Sequence, residues 1–132
     1  MGVTGSRSEI SAAQKERLYA LLERHALVLH HGDCLGADAT AHAMAQQLLI
    51  DVVVHPPTNP KARAWCMSLD ILPPKPYLER NHDIVDASRL LLAFPATYKQ
   101  QVRSGTWATI RYGLKVGCPT IVVLPNGKDL NQ

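Results

Sequence analysis

Short runs of aliphatic residues alternate along the chain with longer stretches in which apolar residues recur at helical spacing. The short runs are near-continuous in valine, isoleucine and leucine, which is typical of strands buried on both faces of a parallel sheet. We predict five strands, at residues 2–4, 26–30, 51–55, 90–94 and 120–124. The intervening stretches predict helices that begin after residue 11 and that span residues 39–49, 77–87 and 105–116.

Because helices separate consecutive strands, we expect right-handed crossovers and a mostly parallel sheet. The predicted architecture is an α/β, Rossmann-like three-layer sandwich around a five-stranded sheet. Two local signals support the helix boundaries. Ser11 and Gln14 have the spacing of a capping box, and Gly117 with Pro119 forms a stop signal after the last helix.

Residues 56–76 interrupt this alternation. They hold six of the nine prolines of the chain, and a proline cannot donate a hydrogen bond to a sheet. We therefore predict a long ordered excursion at about residues 56–76 instead of sheet interior. Within it we expect a short helical turn over residues 61–67, with Trp65 packed as an anchor.

Length and composition fit one domain over residues 1–132, because 46% hydrophobic and 19% charged residues exclude wholesale disorder. Aromatic residues make up only 5% and the net charge is +3. Both values argue against nucleic acid as a partner, whether as a stacked single strand or as a coated duplex. Neither a run of eighteen apolar residues nor a signal-peptide pattern occurs, so we expect no membrane partner and a cytoplasmic location.

The cysteines and histidines do not predict a metal centre. The three cysteines show no CxxC spacing, and the adjacent His30 and His31 point to opposite faces of a strand. We interpret His42 as a helix-surface histidine. The glycine patterns of Walker and dinucleotide-binding loops are absent as well. We therefore predict no metal and no resident cofactor.

Ligands of open parallel sheets bind beyond the carboxyl ends of the strands. In this chain the loops at those ends contain most of the unusual glycine and polar residues. The residues that we predict to bind a ligand are Gly5, Ser6, Arg7, Gly32, Asp33, Gly36, Ala37, Asp38, Arg80, Asn81, Pro95, Arg103, Ser104, Gly105 and Thr106.

Several of these residues have a specific expected role. Gly36 and Ala37 open a helix whose free amides and dipole attract an anion, and Asp38 either caps this helix or holds a ribose hydroxyl. Hydroxyls and helix amides of residues 104–106 can bind phosphate oxygens. Glu79, with Asp38 as a second candidate, is the carboxylate best placed for acid–base or nucleophilic catalysis.

The order of these motifs resembles the SLOG superfamily, in particular its YspA-like branch. The motifs are GSR from Gly5, HGDxxGAD from His31, ERN from Glu79, AFP from Ala93 and SGT from Ser104. The resemblance covers most of the chain and implies a Rossmann-like nucleotide-binding pocket. Relatives include the cytokinin-activating phosphoribohydrolases and the DNA-processing protein A family. Because relatives commonly dimerise, it also implies a homo-oligomer.

Departures from the pattern bear on function. The phosphoribohydrolases carry PGGxGTxxE, whereas this chain has Arg103-Ser104 at the double glycine and Thr109 at the glutamate. A threonine cannot supply a carboxylate, so we predict a protein that binds a nucleotide or nucleotide-derived small molecule, as a sensor or a sequestering protein. The alternatives are a nucleoside 5′-monophosphate N-glycosidase that uses Glu79 or Asp38, and single-stranded DNA binding.

Overall fold

The computed structural model describes residues 1–130; residues 131 and 132 of the predicted domain lie outside the described residues. In chain order the elements are β1 (Gly2–Gly5), α1 (Ala12–His25), β2 (Val28–His31), α2 (Ala37–Gln47), β3 (Asp51–Val54), β4 (Asp70–Ile71), α3 (Tyr77–Asp86), β5 (Leu91–Phe94), α4 (Gly105–Lys115) and β6 (Thr120–Val122). All pairings between these six strands are parallel, which confirms the Rossmann-like α/β sandwich.

The strand order is β4-β3-β2-β1-β5-β6. From β1 the chain moves strand by strand to one edge, and after α3 it returns to the other side of β1 as β5. The order therefore reverses between β1 and β5, where Gly2 to Gly5 pair with Leu91 to Phe94. Such a switch point leaves a crevice beyond the carboxyl ends of the two strands.

Helices cover both faces of the sheet, as the alternation of side chains along β5 demonstrates. Leu92 and Phe94 pack into the large core cluster that also contains residues of α1 and α2. Ala93 points the other way, into a smaller cluster with Trp107 and Ile110 of α4. Because consecutive strand residues face opposite sides, the two clusters lie on opposite faces of the sheet.

A capping box begins α1, as predicted. The Ser11 hydroxyl accepts a hydrogen bond from the Gln14 amide at 3.0 Å, and Gln14 Oε1 accepts one from the Ser11 amide at 3.1 Å. The buried Gln14 Nε2 then donates to the carbonyls of Pro95 and Val123, both at 2.9 Å. One side chain thus ties the start of α1 to the ends of β5 and β6.

Two expectations for the proline-rich excursion are wrong. It contributes a sixth strand, β4, which pairs with β3 at the sheet edge. With two residues, this strand is too short to produce an aliphatic run. In addition, residues 61–67 form no helical turn, and Trp65 is 61% exposed instead of packed. No helix within residues 1–130 is long and apolar enough to cross a membrane.

Candidate functional site

A cavity of about 470 Å³ lies at the carboxyl ends of β1, β2 and β5, at the switch point of the sheet. It brings together segments that are far apart in the sequence, since the loop after β1, the turn after β2, α3 and the start of α4 all contribute to it. The predicted site residues that line it are Gly5, Ser6, Arg7, Gly32, Asp38, Arg80, Asn81, Arg103, Ser104, Gly105 and Thr106.

Gly36 and Ala37 do not line the cavity, because the loop after β1 crosses the start of α2. The Ala37 amide donates to the Ser6 carbonyl at 3.0 Å, so it is not free for an anion. Gly36 has φ +86°, and a Cβ there would overlap the backbone of residues 6–8. This glycine permits close chain crossing, and the expected anion site at α2 is occupied by protein.

Asp33 does not line the cavity either, although its neighbours Gly32 and Cys34 do. Its carboxylate is fully buried and accepts from Arg63 Nε and from the Cys66 amide, both at 2.8 Å. The residue joins the turn after β2 to the proline-rich excursion. A buried carboxylate with these partners is a structural element, and breaking such a pair is costly.

Glu79 and Pro95 complete the set of predicted residues that the cavity does not contain. The Glu79 side chain is 60% exposed, with Oε1 3.9 Å from Lys75 Nζ. The Pro95 carbonyl accepts from the buried Gln14 side chain. Glu79 therefore lies outside the cavity. Of the two candidate catalytic carboxylates, Asp38 is the one that lines it.

The start of α4 is open to the cavity. Ser104 caps the helix by accepting from the Trp107 amide at 3.3 Å. The amides of Gly105 and Thr106 belong to the first turn, where no helical carbonyl can pair with them. Arg103 is exposed and lies directly before this turn. Trp107 is a packing residue, buried with its Nε1 donating to the Thr97 hydroxyl at 3.0 Å.

Arg80 forms a wall of the cavity and is itself fixed by hydrogen bonds. It is only 5% exposed, and its guanidinium donates to the Gly32 carbonyl, to the His55 carbonyl at 3.2 Å and to Asn81 Oδ1 at 2.7 Å. Tyr77 lies against it, with the guanidinium carbon of Arg80 5.3 Å and that of Arg7 4.6 Å from the ring centroid. Arg80 therefore has a structural function in addition to any contact with a ligand.

The two carboxylate oxygens of Asp38 differ in their hydrogen bonds. Its Oδ2 accepts from the amides of Gly32 and Cys34 at 3.1 and 3.3 Å. Its Oδ1 is buried and has no hydrogen-bond partner among the described residues. Burial raises the pKa of this carboxyl to about 6, against the opposing effect of the Arg80 charge. Asp38 lines the cavity, so a small side-chain rotation that opens Oδ1 would let this oxygen accept from a ligand donor.

A buried pair of histidines lies beneath the turn after β2, which the sequence did not indicate. His42 is only 6% exposed, so its interpretation as a surface residue is wrong. Its Nδ1 lies 3.0 Å from His31 Nε2, and Cys66 Sγ is close enough that the three possible ligand atoms fall within 4.8 Å of one another. The paired positions 31 and 42 could be found from sequence only by knowing how α2 packs on β2.

Without a metal, the hydrogen bonds of this cluster assign its protons. The Asp33 amide donates to His31 Nδ1 at 2.9 Å, so the proton of His31 is on Nε2 and is donated to His42. A protonated ring nitrogen offers no lone pair to a metal. Burial, as the largest cause, also raises the pKa of the Cys66 thiol to about 12, so it stays protonated. A metal would have to displace both protons, and the residues are buried or half-buried, so we interpret the three residues as core.

No protein-family model and no curated protein matches the sequence. Solved structures do match, and the three described below are each 20% identical in sequence to this chain. The molybdenum cofactor binding protein from the phototrophic bacterium Rippkaea orientalis has a TM-score of 0.73 over 93% of this chain and 74% of that protein. The molybdenum cofactor carrier protein from Chlamydomonas reinhardtii has a TM-score of 0.64 over 92% and 73%.

DNA processing protein A from Streptococcus pneumoniae matches with a TM-score of 0.68 over 92% of this chain. The chain spans about half of that protein, 48% of its length. At this level of identity the likeness concerns architecture alone. The chain has the Rossmann-like fold that DNA processing protein A shares with the molybdenum cofactor binding and carrier proteins, as the SLOG resemblance implied.

Proposed function

We propose that this protein binds a nucleotide or a nucleotide-derived small molecule in the cavity at the switch point, as a sensor or a sequestering protein. One observation carries the proposal: Gly105, Arg103 and Asp38 line the same cavity, so it combines anion-binding groups with a carboxyl group. A ligand with a phosphate and a polar ring or ribose is complementary to both. Two neighbours of the same fold are described as molybdenum cofactor proteins, which supports a small-molecule ligand of this size class.

The phosphate would bind at the start of α4. The first-turn amides of Gly105 and Thr106 and the helix dipole favour an anion, and Arg103 and Arg7 contribute charge from either side. A Cβ at Gly105 would meet nothing within 4 Å, so the chain leaves open space beside this first turn. Guanidinium groups add hydrogen bonds that are stronger than neutral ones.

The opposite end of the ligand would meet Asp38. Above a pH of about 6 its carboxylate is ionised, and Oδ1 can accept from a ribose hydroxyl or a ring N–H. Below that pH the oxygen is protonated and loses acceptor capacity. We expect ligand affinity to decrease as the pH falls through 6 in the wild type, and to a smaller extent in Asp38→Asn, where only the ligand phosphate still titrates.

A second candidate function is a nucleoside 5′-monophosphate N-glycosidase, which the raised pKa of Asp38 favours. A carboxyl that titrates near 6 can act as a general acid toward a departing base. The Thr109 hydroxyl, at the position of the glutamate in the phosphoribohydrolases, donates to the Gly105 carbonyl at 2.8 Å. Asp38 would therefore have to catalyse cleavage of the glycosidic bond without that glutamate.

The test is calorimetric titration of adenosine and guanosine monophosphates, ADP-ribose and molybdenum cofactor. Arg103→Ala should reduce the affinity of the ligand that binds about ten- to hundredfold, the range for one charge-assisted contact. Arg89→Ala is the matched control, an exposed arginine at the amino end of β5, and should bind normally. Arg80 is not used, because its carbonyl contacts make the fold depend on it.

Two results decide between the candidates. Binding without release of free base supports the binding protein, whereas release of base and ribose 5-phosphate that Asp38→Asn abolishes supports the glycosidase. If no phosphorylated compound binds, or if Arg103→Ala and Arg89→Ala bind equally well, the site assignment is wrong.

A further inference from the structure

The segment that leads into α4 borders the cavity but has little packing of its own. Residues 100–103 are all exposed, Val102 by 88%. Gln101 and Arg103, on either side of Val102, nevertheless line the cavity. A segment without buried side chains keeps one conformation only where hydrogen bonds hold it. The affinity for a ligand that Arg103 contacts therefore depends on what fixes this segment.

One side chain supplies most of those hydrogen bonds. The Arg111 guanidinium donates to three consecutive residues, namely to Gln100 Oε1 at 2.7 Å and to the carbonyls of Gln101 and Val102 at 3.4 and 3.2 Å. Within residues 1–130, the only other hydrogen bond to the segment runs from the Ser104 amide to the Gln101 carbonyl, at 3.4 Å. Arg111 is therefore the main restraint on residues 100–103.

Arg111 itself lies outside the cavity, in the second turn of α4. Among the described residues, no carboxylate forms an ion pair with it. Its planar guanidinium presents N–H donors in a fixed fork, so that one group can hold a side-chain oxygen and two backbone carbonyls at once. Any contribution of Arg111 to ligand binding is therefore indirect and acts through the segment that it holds.

We propose that Arg111 is a positioning residue for the ligand site, because it holds residues 100–102 so that Arg103 faces the phosphate at the start of α4. The proposal rests on the phosphate site proposed above and adds a residue that does not touch the ligand. A segment that is already fixed loses less conformational entropy when a ligand binds, which raises the affinity. Loss of Arg111 should therefore weaken binding without removing any ligand contact.

The first measurement needs no ligand. Backbone ¹⁵N relaxation should give order parameters of about 0.85 for residues 100–103 in the wild type, and below about 0.6 in Arg111→Ala. The urea midpoint should not change, because only an exposed segment is released. Lys115→Ala removes an exposed cation one turn further along α4 and is the matched control, with wild-type values in both measurements. Unchanged order parameters in Arg111→Ala would overturn the proposal.

The second measurement is calorimetric titration with adenosine monophosphate and ADP-ribose. Arg111→Ala should reduce the affinity for the probe that binds by about five- to tenfold, but by less than about twofold in a protein that already carries Arg103→Ala. A residue that acts through Arg103 contributes little once Arg103 is absent, whereas a general loss of structure lowers the affinity equally in both backgrounds. Arg111→Lys keeps the charge but not the fork, so it should bind like Arg111→Ala.

Equal losses from Arg111→Ala in both backgrounds, or wild-type affinity in Arg111→Lys, would also overturn the proposal. A wild type that binds neither probe, or an Arg103→Ala variant that binds as well as the wild type, would instead refute the phosphate site and with it the role of Arg111 in binding. The order parameters would then still show whether Arg111 holds the segment.

Discussion

Two glycine-containing turns lead into helices at the carboxyl edge of the sheet, before α2 and before α4. Gly36 precedes α2, and there the Ser6 carbonyl accepts from the first helical amide. Gly105 begins α4, and the space around its missing Cβ is empty to 4 Å. One turn is closed by protein, whereas the other faces the cavity.

The difference shows that a glycine before a helix has two distinct uses. In the closed turn the absent side chain admits another segment of backbone, and a positive φ is required. In the open turn the absent side chain leaves amides accessible to an anion. Changes at the closed turn should therefore affect stability first, and changes at the open turn should affect ligand affinity first.

The largest expected effect is the difference in stability between the variants Gly36→Val and Gly105→Val. Gly36→Val should destabilise the protein by about 4 kcal/mol, because it combines a positive φ with overlap against the loop after β1. Gly105→Val should keep the wild-type urea midpoint and lose at least about tenfold in affinity for a phosphorylated ligand. Equal loss of stability in both variants would contradict the distinction.

The next effect concerns the ion pair that holds the closed turn to the excursion. Asp33→Ala should lower the free energy of unfolding by about 3 kcal/mol, because it leaves the Arg63 guanidinium and the Cys66 amide without their acceptor. Urea unfolding measures the loss, and Trp65 fluorescence reports the displaced segment. Asp70→Ala, at an exposed carboxylate of the same excursion, is the control and should unfold like the wild type.

A third, pH-dependent effect comes from Asp38 in the first turn of α2, directly after the closed turn. Folding raises its pKa from 3.8 to about 6, so between these values the folded state binds more protons than the unfolded state. The stability from this group is complete below pH 3.8 and is lost as the pH rises through 6, in total about 3 kcal/mol.

Asp38→Asn removes that titration. Relative to the wild type, the variant should therefore gain stability as the pH rises from 4 to 6, and the gain should level off above that range. Urea midpoints of both proteins at pH 4, 5, 6 and 7 give the difference. A difference that does not vary with pH would mean that Asp38 titrates normally in the folded protein.

The smallest effect is expected from Glu79→Gln. The side chain is mostly exposed and outside the cavity, so neither the urea midpoint nor ligand affinity should change measurably. If the protein releases base from a nucleotide, this variant should do so at the wild-type rate. Loss of turnover in Glu79→Gln would instead show that α3 moves to bring Glu79 into the cavity.

Local signals in the sequence were sufficient for most of the fold. The aliphatic runs placed five strands to within about two residues, and the spacing of Ser11 and Gln14 identified the capping box that begins α1. These features depend on interactions between residues that are close in the chain. The two-residue β4 was missed, because its pairing with β3 depends on contacts across the excursion.

The sequence was sufficient to predict which loops form the site, because the carboxyl ends of parallel strands share one edge of the sheet. Which side chains face the cavity was decided only by tertiary structure. Asp33, Gly36 and Glu79 are of residue types that are common in binding sites. In the fold, however, Asp33 forms a salt bridge, the loop after β1 packs against Gly36, and the Glu79 side chain is exposed to solvent. The oxygen of Asp38 that lacks a partner among residues 1–130 and the open start of α4 both result from long-range packing, which no local pattern encodes.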